Sequence, residues 1–280
     1  MLLSINQWSF PAGMRVVEMM ALAKKNGFEA FEPALSETGE LSLASSDAEF
    51  IAAKEAAADI GIKIASLAAG LTWAYSPTSN NPGVRKVARS QVLRQLECAK
   101  LLGTDAILHV PGTVGVGFWG SDDPVEYDAC WDRALENIDA IKGDAESLGV
   151  TIGIENVWNN FLMSPLEMVR FIDAAGSPRV GAYLDVGNVI KFGCAETWVR
   201  LLGARISRVH VKDYKRAVGT LDGFVDLLCG DVNYPAVIEA LAAAKYEGPL
   251  TAEMNAGYAY YPEDVVYRTA RAMELIVGRR

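Results

Sequence analysis

The segment LGVTIGIENVWNNFLMSPLEM, residues 148–168, contains one complete strand-to-helix unit. Gly149 closes a helical pattern, the β-rich run TIGIENV follows from Thr151, and Pro165 stands where the next helix begins. Glycine suits the end of a helix because it adopts the left-handed conformation, and proline suits the first turn because its missing N–H has no partner there. The segment therefore predicts a β-strand followed by an α-helix.

The same alternation of short apolar runs and longer amphipathic segments continues along the chain. The eight candidate strands are LLSINQW from Leu2, FEAFEPA from Phe28, IKIASLA from Ile62, AILHVP from Ala106, TIGIENV from Thr151, VGAYLDV from Val180, ISRVHVK from Ile206 and LTAEMN from Leu250. Repeated βα units predict a parallel sheet. Eight units in 280 residues match the size of a (β/α)₈ TIM barrel, which takes about 250 residues.

We therefore predict an α/β fold in which residues 1–280 form a single TIM-barrel domain, because no linker or low-complexity tract divides the chain. The competing arrangement is an open doubly wound sheet. That fold favours a glycine-rich phosphate turn after its first strand, whereas this chain has SINQWSFPAG there. Two loops, 112–123 and 213–232, exceed what a barrel requires, and we expect them to serve as lids or binding walls.

Composition narrows the classes of function. The net charge of −9 and the pI near 4.9 argue against nucleic acid as a partner, because phosphate-backbone binding needs a basic face. No apolar run approaches the roughly 18 residues of a membrane span, and the first residues lack the cationic start of a signal peptide. We therefore expect no membrane partner and a cytoplasmic location. The four scattered cysteines form no CxxC pair and are expected to be structural thiols.

Polar residues close four consecutive predicted strands. In strand five, Ile152 and Ile154 occupy one face and Glu155 the other, and the same alternation places Asp185, His210 and Glu253 on the inner face of strands six, seven and eight. Active sites of TIM barrels lie at the carboxyl ends of the strands. We therefore expect these four side chains to converge at one mouth.

A bound cation explains this convergence economically. Three carboxylates near one another repel, and a divalent ion relieves that repulsion. Oxygen ligands with a single imidazole and no thiolate suit Mn²⁺, Mg²⁺ or Co²⁺ better than a structural zinc site. Each residue alone could equally be a strand-end polar group bonded to a loop, but the set of four predicts one divalent metal ion.

The blocks GIENVWNNFLMSPLEM, VGAYLDVGNV, RVHVKDYKR, GDVNYPAV and LTAEMN, with LGTDAILHVPG, carry a family resemblance. In their order and spacing the chain resembles, over nearly its whole length, the xylose isomerase-like barrels that include sugar-phosphate isomerases and ketose 3-epimerases. The resemblance implies that Glu155, Asp185, His210 and Glu253 are metal ligands, and that Glu155 and Glu253 are the catalytic acid/base pair. A metal chelated by a substrate carbonyl and hydroxyl would stabilise an enediolate.

The substrate-binding residues of the family match this sequence less completely than its metal ligands do. Arg216 matches the position from which the arginine of the epimerases contacts substrate. Asn188 stands where the best-known epimerases carry a substrate-binding histidine, and Phe161 stands where they carry glutamate, so the sugar stays open. The whole pattern looks closer to the sugar-phosphate branch. Lys212 shares the parity of His210 and is a candidate to approach a phosphate with Lys215 or Arg216; the alternative is that these charges are solvated, as is usual on such a loop.

Further candidates follow other strands. His109 ends strand four and could bond substrate, or pack as a core histidine. Trp8, Trp119 and Trp158, together with Trp73, follow strands at the expected mouth, where indoles pack on the C–H faces of sugars or cover a core edge. Glu32, near the end of strand two, is a candidate for contact with substrate or with a metal ligand.

The activity most expected is that of a ketose 3-epimerase or hexulose-phosphate isomerase acting on a small sugar or sugar phosphate. The alternatives are an inosose-type dehydratase or isomerase on the same barrel and a catalytically silent sugar-binding barrel. AP endonucleases share this barrel but have a trinuclear metal site rich in histidine. This chain has only two histidines, which argues against DNA cleavage. Barrels of this type often self-associate, so a homo-oligomer is a further expectation.

Overall fold

A computed structural model describes residues 1–115, 124–255 and 259–279. Its main sheet has eight strands, all of whose pairings are parallel, in the order β3-β2-β1-β8-β7-β6-β5-β4. The strands are β1 Leu2–Asn6, β2 Ala30–Glu32, β3 Lys63–Ile64, β4 Ala106–His109, β5 Thr151–Glu155, β6 Val180–Asp185, β7 Ile206–Val211 and β8 Pro249–Ala252. Seven lie within their predicted runs, and β8 begins one residue before its run, at Pro249.

The ring closes between its two end strands. Leu67, just beyond β3, forms a parallel bridge with Ile107 in β4. Leu67 N–H donates to the carbonyl of Ala106 at 3.0 Å, and Leu108 N–H donates to the carbonyl of Leu67 at 3.1 Å. Closure leaves no free sheet edge here, and the predicted TIM barrel is confirmed.

Helices follow the strands and cover the outside of the barrel. They are α1 Val16–Lys25, α2 Asp47–Ile60, α3 Pro82–Leu102, α4 Tyr127–Leu148, α5 Pro165–Ala175, α6 Ala195–Leu202, α7 Tyr234–Ala243 and α8 Asp264–Ile276. Gly149 ends α4 in the left-handed conformation, as predicted, with φ of 71°, and Gly61 and Gly103 end α2 and α3 in the same way, with φ of 75° and 76°. None of the described helices has both the length and the hydrophobicity needed to cross a bilayer.

The predicted long loop after β7 contains its own ordered structure. Asp213–Tyr214 pairs antiparallel with Phe224–Val225. The buried Asp213 carboxylate accepts hydrogen bonds from the backbone N–H groups of Tyr214, Gly230 and Val232, at 2.9, 2.9 and 3.2 Å. These bonds fix the loop against the mouth of the barrel, where it forms a wall.

Inside the barrel a group of polar side chains is fully buried. Asn6, Glu32 and His210 each have no exposed surface, and neither has the ring of Tyr183. Buried polar groups are costly unless they are hydrogen-bonded to one another. This inner polar layer lies directly beneath the strand ends that the sequence singled out.

Candidate metal centre and substrate cavity

The structure brings together the four predicted ligand residues. Glu155 and Asp185 end β5 and β6, His210 lies near the end of β7, and Glu253 directly follows β8. One potential ligand atom from each lies within 4.8 Å of the other three. Ligands that share one ion at about 2.0–2.6 Å must lie this close to one another. The cluster therefore has the dimensions of a site for a single cation.

Three of the four residues also present an atom without a hydrogen bond to any described residue: Asp185 Oδ2, His210 Nδ1 and Glu253 Oε2. All three are buried. His210 Nδ1 and Glu253 Oε2 are 2.7 Å apart, although not aligned as a hydrogen bond. Buried polar atoms seldom lack a hydrogen bond, so the convergence of these three fits a cation that all of them ligate, and Lys212 Nζ already supplies a positive charge 3.1 Å from Asp185 Oδ2.

Backbone and amide groups fix the orientation of Asp185. Its Oδ1 accepts hydrogen bonds from the N–H groups of Gly187 and Asn188, both at 2.9 Å, which leaves Oδ2 turned to the cluster. The Asn156 amide clamps the Asp185 backbone, donating to its carbonyl at 2.8 Å and accepting from its N–H at 2.9 Å. One carboxylate oxygen is thus bonded to backbone N–H groups, and the other faces the cluster and the Lys212 ammonium.

Glu32 orients the imidazole of His210. His210 Nε2 is 2.7 Å from Glu32 Oε2, and both side chains are fully buried. When Nε2 carries a proton and donates it to Glu32, the Nδ1 lone pair faces the cluster. A carboxylate behind a histidine in this way fixes the tautomer and the ring orientation of a metal ligand. The structure thus places Glu32 behind the histidine and outside the substrate cavity.

Glu32 is itself held by three further donors. Asn6 Nδ2 donates to Oε2 at 2.5 Å, Ser66 Oγ donates to Oε1 at 2.5 Å, and the Tyr183 hydroxyl also donates to Oε1. Burial opposes its charge, but His210 and the hydrogen bonds from Ser66 and Tyr183 lower the pKa of Glu32 below its usual value. Sequence reasoning missed all three donors. Tyr183 could have been found by alternation, because it lies two residues before Asp185 and so shares its face.

Lys212 supplies a positive charge inside the cluster. Its Nζ is 2.7 Å from Glu253 Oε1 and 3.1 Å from Asp185 Oδ2, and the side chain is 17% exposed. Burial disfavours the charge, but Asp185, Glu253 and Glu155 outweigh it and hold the pKa of Lys212 above its usual value. The ammonium predicted to approach a phosphate is therefore engaged with two carboxylates.

The two glutamates have different environments. Burial raises the pKa of Glu155 to about 7. Burial opposes charge on Glu253 as well, but Lys212 and His210 lower its pKa to about 2. Two carboxylates whose pKa values are pushed apart are typical of sites that transfer protons.

Gly187 makes room for Lys212. A Cβ at position 187 would lie 2.5 Å from Lys212 Cβ and 2.8 Å from its backbone carbonyl carbon. We expect Gly187→Ala to destabilise the protein by about 1–3 kcal/mol, as overpacking does, in chemical denaturation. The matched control is Gly143→Ala in α4, where an added Cβ meets nothing within 4 Å; this change should be neutral or stabilising. Equal effects of the two changes would contradict the close approach.

A cavity of about 840 Å³ opens above the cluster. Glu155, Glu253 and Lys212 form part of its lining. Its other lining residues are Trp8, Ala69, Gly70, Trp73, Leu108, Val110, Val157, Trp158, Asn188, Asp213, Leu221, Phe224, Val225, Asp226, Cys229, Met254 and Asn255. Residues of the loop after β7 are prominent in it, in line with the wall expected from the sequence.

Five residues expected from the sequence at the substrate line this cavity: Trp8, Trp73, Trp158, Asn188 and Lys212. The Trp158 indole N–H donates to the Asn188 carbonyl at 2.9 Å, and the Asn188 amide donates to the Asn156 carbonyl at 3.0 Å. These bonds hold the indole and the amide at the wall. Trp119 lies outside the described residues.

Two other predicted contacts do not line the cavity. His109 is buried, and its neighbours Leu108 and Val110 line the cavity instead, because alternation along β4 turns the imidazole to the opposite face. Burial lowers the pKa of His109 to about 4, so the ring stays neutral. The Arg216 guanidinium donates to the carbonyls of Ile190 and Gly193, both at 2.9 Å, and so joins two loops. Neither side chain is among the residues that line the cavity, and substrate contact by either of them stays a prediction.

Comparison with known proteins agrees with this architecture. A family model described as xylose isomerase-like TIM barrel matches residues 20–274. No curated protein matches the sequence. A crystal structure of D-psicose 3-epimerase in the presence of D-fructose has a TM-score of 0.81 at 20% identity, covering 99% of this chain and 100% of the other.

Two further solved structures share the fold. D-psicose 3-epimerase from Clostridium cellulolyticum H10, crystallised with D-tagatose, has a TM-score of 0.82 at 17% identity, covering 99% of this chain and 98% of the other. The IOLI protein with a zinc atom has a TM-score of 0.80 at 16% identity, covering 100% of this chain and 99% of the other. At these identities the similarity establishes the common fold.

Proposed function

The chain belongs to the xylose isomerase-like TIM barrel family, and on that premise we propose that it is a divalent-metal-dependent epimerase or isomerase of a small sugar. One observation carries the proposal: four ligand atoms within 4.8 Å of one another, contributed by Glu155, Asp185, His210 and Glu253. Glu155 and Glu253 also line the cavity that would hold the substrate. The epimerases with fructose and tagatose, and the zinc-containing neighbour, support the same reading.

In such a reaction, different residues of the chain would bind the metal ion and transfer protons. A bound divalent ion would supply positive charge beside the substrate carbonyl, which lowers the barrier to removing the neighbouring C–H proton. Asp185 and His210 would hold that ion, oriented by Asn156 and Glu32. Glu155 and Glu253 would carry protons. Because β6 and β7 separate β5 from β8 in the ring, the two carboxylates can reach a substrate from different sides, which suits epimerisation.

Solvent exchange tests the activity directly. The protein is incubated in D₂O with Mn²⁺, Mg²⁺ or Co²⁺ and a panel of ketoses, and deuterium is located by NMR. Deuterium at one carbon with inversion indicates epimerisation, exchange with movement of the carbonyl indicates isomerisation, and loss of water indicates dehydration. Absence of exchange with every ketose and metal would overturn the proposal and leave the silent sugar-binding barrel.

Metal binding has a consequence for stability. An ion at one hundred times its dissociation constant stabilises the folded protein by about 2.7 kcal/mol, provided that it does not bind the unfolded chain. We expect Tm to rise on addition of the preferred ion and to fall again with a chelator, measured by differential scanning calorimetry. Asp185→Ala should abolish the rise. The exposed Asp222→Ala should retain it, and an equal rise in both variants would place the ion elsewhere.

A further inference from the structure

The cavity above the cluster is larger than a free sugar requires. Ligand cavities of roughly 300–1,000 Å³ accommodate drug-sized molecules. This one measures about 840 Å³, near the upper end of that range, whereas a hexose is far smaller than a drug. A free hexose would leave part of this space unfilled, so the cavity has room for a second chemical group on the sugar.

The cavity has a polar base and apolar walls. The side chains of Glu155 and Glu253 at its base are 6% and 15% exposed. Trp8 and Leu221 in its walls are 39% and 40% exposed, so they lie nearer the opening. The other apolar wall residues are Trp73, Leu108, Val110, Val157, Trp158, Phe224, Val225 and Met254.

The walls lack the cations that would bind a phosphate. Lys212 is the only lysine or arginine among the residues that line the cavity in the described part of the chain, and its ammonium already contacts two carboxylates. Arg216 is bonded to two backbone carbonyls. The sequences of 116–123 and 256–258, the loop segments outside the described residues, contain no lysine or arginine.

The remaining charges in the cavity are negative. Asp213 and Asp226 line it together with Glu155 and Glu253, and Asp226 is paired with Arg268, which also contacts Asp264. A phosphate group carries about −1.5 to −2 charges at neutral pH, and away from the proposed metal ion it would meet carboxylates without an unpaired cation. The sugar-phosphate branch favoured by the sequence is therefore not supported by the charges of the cavity.

We propose that the substrate is an uncharged sugar that carries an apolar substituent, an aryl or alkyl group, and that it is not a sugar phosphate. The polyol and its carbonyl would lie at Glu155, Glu253 and Lys212. The substituent would lie against Trp8, Trp73, Leu221 and Phe224, where it loses its contact with water. This inference rests on the proposed function for the identity of the reacting sugar, and on the cavity for the second group.

Matched ligands test the substrate class. Binding of D-fructose, D-fructose 6-phosphate and the 1-O- and 6-O-benzyl ethers of D-fructose to the metal-loaded protein is measured by calorimetry, and deuterium exchange is measured with the same compounds. Burying an apolar ring is expected to strengthen binding of at least one ether by about 10- to 100-fold over the free sugar. The phosphate should bind no better than the free sugar. Preference for the phosphate, or no gain with either ether, would overturn the inference.

The two readouts separate this inference from the proposed function. Tighter binding of an ether without proton exchange would refute the proposed reaction and retain the ligand class. Proton exchange with fructose together with tighter binding of fructose 6-phosphate would retain the proposed reaction and refute the ligand class.

Single substitutions test where the apolar substituent of the sugar binds. Trp8→Ala should reduce binding of the benzyl ether more than binding of the free sugar, because the indole contacts the substituent. Tyr267→Ala removes a similarly exposed aromatic ring on α8, away from the cavity, and should change neither. Equal losses for both ligands in Trp8→Ala would show that the indole holds the sugar itself, and would contradict the assignment.

Discussion

Replacing Glu155 or Glu253 by glutamine should slow exchange of the substrate proton with solvent by about 10²- to 10⁴-fold, the usual contribution of a general acid or base. Glutamine keeps the size and an oxygen ligand of the side chain but cannot accept a proton at neutral pH. Both residues lie at the base of the cavity and belong to the four-residue cluster. The measurement is deuterium incorporation into the ketose that the wild-type protein exchanges fastest.

Controls separate proton transfer from metal loss and misfolding. Glu239→Gln makes the same chemical change at an exposed position on α7 and should retain full exchange. The metal content of each purified variant is measured at saturating ion, so that lost activity in a loaded protein is assigned to the missing carboxylate. Wild-type exchange rates in either active-site variant would refute its role as a proton carrier.

Glu32→Gln is expected to weaken metal binding by about 10- to 100-fold, although Glu32 is not a member of the ligand cluster. The carboxylate accepts from Asn6, Ser66, Tyr183 and His210, whereas an amide of the same size can accept at only one of its two ends. The imidazole would lose the acceptor that fixes its orientation. Titration calorimetry with the preferred ion measures the change, and circular dichroism checks the fold.

Tyr183→Phe is the matched variant for this test. It removes one hydroxyl donor from Glu32 but leaves the contact between Glu32 and His210 in place. We expect its metal affinity to fall less than that of Glu32→Gln. An unchanged affinity in Glu32→Gln, or an equal loss in both variants, would show that Glu32 does not act through the histidine.

Alternation along the strands predicted the ligand cluster because each strand ends at the same mouth of the barrel. The positions of Glu155, Asp185 and His210 were predicted from two facts only: the strand that each residue belongs to, and the face of that strand to which alternation assigns its side chain. The same rule applied to β4 would have turned His109 away from the cavity, since Leu108 and Val110 occupy the inner face there. The expectation of substrate contact at His109 gave the residue type more weight than its position in the strand, whereas the alternative of a packed core histidine agrees with its burial.

Loop residues were placed less well, because no periodicity governs them. Arg216 follows β7, and its position along the chain does not reveal that its guanidinium donates to the carbonyls of Ile190 and Gly193 in the preceding loop, after β6. Lys212 was correctly expected near the mouth, but its pairing with Glu253 and Asp185 depends on how β6, β7 and β8 are arranged in space.

By itself the sequence determined the eight strand-to-helix units, the barrel and the residues that end its strands, because these depend on local periodicity and on helix-terminal glycines and prolines. Only the tertiary structure decided what each of those residues touches. Glu32 and His210 are 178 positions apart in the chain and 2.7 Å apart in space, and Lys212 finds its carboxylates on two other strands. Such contacts between distant segments arise from closure of the ring, which no local pattern encodes.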